Sequence, residues 1–229
     1  MAEGSTKFKE DYEPGPALES SYFKDLNYWR NLLFHHSLIG QKDGVGYGNV
    51  SQRASIYDSV LDSSLPNKRS FIITGSQTGH LEDLTALHYT IVRRYHPREN
   101  RIITRGPIRA SSESMTHGAI YDADESIRFA FHAHSPDIWN FAERLGIPIT
   151  DKKVEYGTPE MAEEVFRLFR ETNVKDLGIF AMGGHTDGIF SFGETAQRAG
   201  EVLFYYLKEA QARAQKPMED KHENRFSVG

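Results

Sequence analysis

The sequence predicts one α/β domain, and three observations carry that prediction. Short apolar and β-branched runs, such as Ser70-Phe71-Ile72-Ile73-Thr74, alternate with longer stretches of helical period. Breaks rich in glycine and proline separate the two kinds of segment. The length, 229 residues, suits one domain of generous size with a core large enough to carry a site. The expected division is a mobile lead over residues 1–20, a folded domain over 21–215 and a loose charged tail over 216–229.

The elements follow in order. After a polar start ending in Glu13-Pro14-Gly15-Pro16, Tyr22, Phe23, Leu26, Trp29, Leu32 and Leu33 recur at helical spacing. Residues 44–51 hold too many glycines for a helix and read as a turn entering a strand, where backbone can approach a ligand closely; Ala54-Ser55-Ile56-Tyr57 follows. Residues 70–74 read as a short buried strand, 75–79 as a loop, 81–95 as a helix stopped by Pro97, and 102–104 as another strand. Ser112 is placed to cap a helix through Met115, Ala119 and Ile120, with Glu113 in its first turn. Ser135-Pro136 supplies cap and first position for a helix over 137–145 with Gly146 as its stop, and Thr158-Pro159 does the same for 160–170. Residues 177–182 are strand-like, and Asp187-Gly188 marks a tight turn before Ile189-Phe190-Ser191-Phe192. A last helix runs from about Glu194 past Leu207. The aromatic group Phe190, Phe192, Phe204, Tyr205 and Tyr206 suits either core or subunit contact, with core expected for most.

Composition excludes several function classes. The formal charge is −5, with acidic and basic residues mixed and no dense Lys/Arg block, so there is no electrostatic footprint for nucleic acid or an anionic membrane. No run approaches the roughly 18 apolar residues of a spanning helix. The opening Met-Ala-Glu-Gly-Ser-Thr lacks a secretory layout, so the expected compartment is the cytoplasm. Cysteine is absent, which excludes disulfides and thiolate zinc sites; zinc must rest on His with carboxylate or water.

The densest chemistry lies in residues 111–134. In the run 127–134, period-two geometry sets Ile127, Phe129, Phe131 and Ala133 on one face and Arg128, Ala130, His132 and His134 on the other. Both imidazoles therefore point the same way, as a metal site at the end of a buried sheet requires. His185, in the turn before residues 189–192, would complete a three-His set that leaves a fourth position open for water or substrate, although taken alone the pair could arise by chance and His185 could simply cap the turn.

The ordered motifs extend well beyond the His residues. Gly48-Asn49-Val50-Ser51, then residues 74–79, then Ser111-Ser112-Glu113 with His117 and Tyr121, then His132-Ala133-His134, resemble the class II aldolase/adducin family; Tyr156-Gly157-Thr158-Pro159-Glu160 and the His185 turn continue the match over roughly residues 25–210. The resemblance implies a three-layer α/β/α domain around a mostly antiparallel central sheet, commonly assembled as a homotetramer with sites near subunit interfaces. It implies zinc, one per subunit, on His132, His134 and His185, with another divalent ion as an alternative. It matches Gly48, Asn49, Ser111 and Ser112 to positions that hold a sugar phosphate, and backbone amides, small hydroxyls and a helix N-terminus do suit an anion. The loop with Thr74 and Gly75 would close the same pocket, or be a plain turn. Glu113 matches the family's acid/base carboxylate, while His117 is expected to brace its helix rather than bind metal.

Two departures bear on the reaction. Family aldolases carry a longer segment after the HxH strand that supplies a catalytic Tyr; here residues 135–155 hold one helix and a short link, leaving Tyr156 and Glu155 as the nearest substitutes. His185 is separated from Gly188 by Thr186 and Asp187, where many members have His followed directly by Gly. The expected function is a zinc-dependent lyase of aldolase type, acting on a small hydroxy-carbonyl or sugar-phosphate substrate through a metal-stabilised enediolate. A dehydratase or decarboxylase of the same family is the first alternative, and a non-catalytic adducin-like binding or assembly domain is the second. Adducin-type domains lack the metal His, and a 4-epimerase usually has Asp where Glu113 stands.

Overall fold

The computed structural model describes residues 6–54 and 69–215. Expectations for Ser55-Ile56-Tyr57, for the first five residues and for the tail over 216–229 lie outside those residues. Ten strands and six helices are described: β1 Lys9–Pro14, α1 Lys24–His35, β2 Gly40–Lys42, β3 Val45–Tyr47, β4 Asn49–Arg53, β5 Phe71–Thr74, β6 Tyr89–His96 and β7 Arg101–Gly106. They continue as α2 Ser114–Ala123, β8 Phe129–His134, α3 Pro136–Phe141, α4 Pro159–Glu171, α5 Val174–Leu177, β9 Ile179–Ala181, β10 Gly188–Gly193 and α6 Ala196–Ala214. No described helix is long and apolar enough to cross a membrane.

Eight strands form one sheet in the order β1-β7-β6-β5-β4-β8-β10-β9, and β2 and β3 form a small hairpin beside it. Every neighbouring pair in the large sheet is antiparallel except β1 with β7. One face carries Val50, Ile72, Ile91, Phe131 and Ala133 and is covered by Leu26 and Leu33 of α1, Ile138 of α3 and Ala199, Val202 and Leu203 of α6. The other carries Phe71, Ile73, Ala130, Phe180 and Phe190 and is covered by Met115, Ala119 and Ile120 of α2 and Met161, Val165 and Leu168 of α4. This is the α/β/α layering that the family resemblance implied, with alternate residues of each strand feeding opposite cores.

The caps explain where the helices begin. Ser135 and Thr158 each accept a hydrogen bond from the backbone N–H three residues on, and each is followed by Pro. The helix that begins at Ser135-Pro136 gives way after Phe141 to a 3-10 turn over Glu143–Leu145, and Gly146 then ends it in the left-handed region. The helix carrying Glu113 starts one position later than Ser112 implied, so Glu113 itself stands at its N-terminus.

Three expectations are corrected. Residues 9–14 are not a mobile lead: they pair in parallel with Arg101–Gly106, and Glu10 accepts hydrogen bonds from Thr104 Oγ1 at 2.7 Å and Ala110 N at 3.0 Å. The helix expected over 81–95 is a short 3-10 turn, Ala86–His88, followed by β6. Thr90, Ile91 and Val92 favour a strand, but a bulge between Val92 and Arg94 shifts the phase, so that buried Val92 and Tyr95 lie three apart and imitate a helical repeat. Ile127 precedes β8 and packs with the α2/α4 core, opposite Phe131 and Ala133. In the aromatic group Phe190, Phe192 and Tyr206 are core, whereas Tyr205 is exposed.

Candidate metal centre and cleft

The site forms where β4 and β8 run side by side, with Asn49 opposite His132. His132 and His134 project from the same face of β8, and the turn between β9 and β10 returns His185 to them: Met182 N donates to Gly188 O, and Asp187 takes φ +65 to close it. The three imidazoles each offer a ligand atom, and these atoms lie within 4.8 Å of one another. His132 and His185 are buried and His134 stands at the rim. His132 Nδ1 lies 3.2 Å from the carbonyl oxygen of Ile189, which can only accept, so Nδ1 carries the proton and Nε2 presents its lone pair to the cluster.

Burial first, and then the neighbouring His side chains, push His132 well below the usual imidazole range. Burial, His185 and Lys42 lower His134 to about 3, and burial and Lys7 lower His185 to about 4. All three are therefore neutral at physiological pH, the state a metal needs. The donor set, all imidazole and held by a rigid strand and a tight turn, fits a divalent ion of the zinc type.

The cluster forms one wall of a narrow cleft. Gly48, Asn49, Gly75, Ser111, Ser112, Glu113 and Tyr156 also line it. Gly48 has φ +77, and a Cβ there would lie 2.6 Å from Ile39 Cγ1, so glycine is required where β3 turns into β4. Glu113 is buried; its Oε2 accepts from Thr116 Oγ1 at 2.7 Å, while Oε1 has no hydrogen-bond partner among the described residues. Burial pushes its carboxyl up to about 7, against smaller opposing effects of Thr116 and Lys7. A buried carboxyl with one unpartnered oxygen thus shares the cleft wall with the three imidazoles.

The sequence reading brought most of this set together, with two corrections. Thr74 does not line the cleft: it is buried, and its Oγ1 accepts from Val50 N at 3.2 Å, so it ties β5 to β4 beneath the site. Gly75 does line it, but its N–H is already given to the carbonyl of His88 at 2.8 Å. Of the two substitutes for the missing Tyr, Tyr156 lines the cleft with its ring 4.6 Å from that of His185, whereas Glu155 faces outward and pairs with Lys7 at 2.8 Å.

Other residues of the site went unread. Lys7 brings its Nζ 3.9 Å from the Tyr156 ring centroid, delivered by a segment that sequence reasoning set aside. Arg30 of α1 is buried and donates to the carbonyls of Glu82 (2.7 Å), Thr78 (3.1 Å) and Gly79 (3.3 Å), bracing the loop whose Gln77, Thr78 and Gly79 line the cleft. Tyr47, adjacent to Gly48, sets its ring 5.0 Å from that of His134. An Arg at an i+4 position from Leu26 on an apolar helix face was the one available signal for Arg30.

With this geometry in hand, comparison with known proteins identifies the family. The family model described as the Class II Aldolase and Adducin N-terminal domain matches residues 40–213, and the chain belongs to that family. Among solved structures, an L-fuculose-1-phosphate aldolase from Thermus thermophilus is 21% identical with TM-score 0.59, over 87% of this chain and 99% of that one. A sugar-phosphate aldolase from Thermotoga maritima is 12% identical with TM-score 0.61, over 86% and 97%. A Klebsiella pneumoniae protein, whose description leaves its reaction among aldolase, epimerase and decarboxylase, is 14% identical with TM-score 0.57, over 84% and 88%. These likenesses establish a shared fold. A search of curated proteins by sequence finds no match.

Proposed function

We propose that the chain is a divalent-metal-dependent lyase, with zinc on His132, His134 and His185, acting on a small hydroxy-carbonyl substrate of the sugar-phosphate type. The observation that carries this reading is the unpartnered Oε1 of buried Glu113 on the same cleft as the three-His cluster. Bound there, the ion would supply Lewis acidity for the carbonyl and hydroxyl oxygens of the substrate. Glu113, with its carboxyl near neutrality, takes the proton from the substrate as the bond next to the carbonyl breaks and returns it to the product. Asn49, Ser111 and Ser112 bind the anionic end of the substrate with neutral donors, aided by backbone at Gly48. Tyr156 would serve the departing carbonyl fragment in place of the family's Tyr. Its place on the cleft supports that role, and its ring packs against His185.

A decarboxylase or dehydratase reading has one observation in its favour: residues 135–155 hold α3 and a link in place of a Tyr-bearing segment, which weakens the tie to aldol cleavage. An adducin-like silent domain is disfavoured by three assembled neutral imidazoles. Assembly as a homotetramer is part of the proposal, and exposed Tyr28 and Tyr205 supply aromatic surface suited to subunit contact.

The test is elemental analysis of wild type beside His185→Ala, followed by assays of sugar phosphates and hydroxy-carbonyl acids for aldehyde and carbon dioxide release. About one zinc per chain in wild type, little in the variant, and turnover abolished in Glu113→Gln with metal retained is the expected result. Full metal in His185→Ala would remove that residue from the site, and undiminished turnover in Glu113→Gln would remove the carboxylate from the mechanism.

A further inference from the structure

We infer that His117 is a positioning residue for substrate: with Ser51 and Tyr121 it forms a buried, one-directional hydrogen-bond chain that holds the Asn49 side chain with its NH2 group toward the cleft. The inference rests on the anion-binding role given to Asn49 above and says how that role is enforced.

The four groups are spaced to meet. Asn49 and Ser51 are two apart on β4, and His117 and Tyr121 are four apart on α2, so each pair shares one face and the faces oppose. Ser51 Oγ lies 2.6 Å from His117 Nδ1 and 2.7 Å from Tyr121 Oη, and His117 Nε2 lies 2.6 Å from Asn49 Oδ1. The His117 ring is fully buried between Phe71 and Phe190. Burial lowers it to about 3, so it stays neutral and carries one ring proton.

Hydrogen counting fixes the direction. If Nε2 carries the proton, it donates to Asn49 Oδ1; Ser51 O–H then donates to Nδ1, and Tyr121 O–H donates to Ser51 Oγ. Each proton falls in a bond of 2.6–2.7 Å. If Nδ1 carries it, the chain runs backwards. The Asn49 amide must turn to donate, and the last proton reaches only the carbonyl of Arg128 at 3.4 Å or of Ala130 at 3.5 Å. Buried polar chains of this kind are favourable when every member is satisfied, so the first direction prevails. It occupies Asn49 Oδ1 from behind and leaves both Nδ2 hydrogens for an acceptor-rich group such as a phosphate, while a turned amide would present a carbonyl and repel it.

Nitrogen NMR of the His117 ring in the metal-loaded wild type reads the tautomer directly, and titration with inorganic phosphate reads its consequence. The Nε2–H signature is expected, unchanged from pH 8 to pH 5. His117→Gln retains an N–H donor close to the Nε2 position and should bind phosphate within about threefold of wild type. His117→Leu, checked to be folded, should lose roughly tenfold or more, as expected for a donor misdirected at an anion. An Nδ1–H signature overturns the inference whatever the variants do. So does a folded His117→Leu that binds phosphate like wild type, which would make the chain mere packing. An Nε2–H signature in a wild type that binds no phosphate supports the orientation of Asn49 and sinks only the sugar-phosphate reading.

Discussion

Replacing Glu113 by Gln should strengthen the metal-free fold at the same time as it removes turnover. Glu113 is 2% exposed, and burial raises its carboxyl from 4.5 to about 7. Between those values the folded chain keeps a proton that the unfolded chain releases, so this group's contribution to stability falls as pH rises through the window. At about 1.4 kcal/mol per pH unit, the penalty above pH 7 comes to about 3 kcal/mol. Gln carries no charge to bury, so the variant escapes it. Urea unfolding of metal-stripped wild type and Glu113→Gln at pH 4, 6 and 8 measures the difference. The two should be alike at pH 4 and diverge to about 3 kcal/mol in favour of the variant at pH 8, roughly 6–12 °C in Tm for a chain of this size. A variant no more stable than wild type at pH 8 would refute the claim that Glu113 is held against its own ionisation.

The His cluster should act in the opposite sense. Its imidazoles are lowered on folding, so metal-stripped protein should lose stability as pH falls from 6.5 toward 4, and His134→Ala should flatten that decline in the same urea series. Arg30→Met should cost about 2–4 kcal/mol, because the carbonyls of Thr78, Gly79 and Glu82 lose a charged donor, and hydrogen exchange over residues 75–82 should quicken. Unfolding at unchanged free energy would show that the guanidinium is not the brace. Gly200→Ala should cost about 1–3 kcal/mol, since a Cβ there would lie 2.1 Å from Trp29 Cε3, and a shifted Trp emission should accompany it.

The parts of the molecule legible in the sequence were those fixed locally. Ser135-Pro136, Thr158-Pro159 and the alternation through His132-Ala133-His134 each declare their geometry within a few residues, and the structure follows them. What stayed hidden depends on partners far along the chain. No local pattern says that the strand over Lys9–Pro14 finds Arg101–Gly106, and the bulge in β6 disguised a strand as a helix. Thr74 illustrates the same limit at the site: its hydroxyl looked available to a ligand until β4 was seen to claim it. His117 was read as a brace of its helix, and its bond to Asn49 needed the register of β4 against α2.

The edge pairing of β1 with β7 makes the order of synthesis matter. Residues 9–14 leave the ribosome well before their partner and cannot dock until residue 106 has followed them, onto an edge that stands complete without them. A growing chain therefore carries this strand unpaired until β7 emerges to close the seam, and Lys7 reaches Tyr156 only after residue 156 has followed. An affinity tag or fused protein attached ahead of Lys7 would slow the docking of β1 on β7. Attachment beyond α6 leaves the seam free to close.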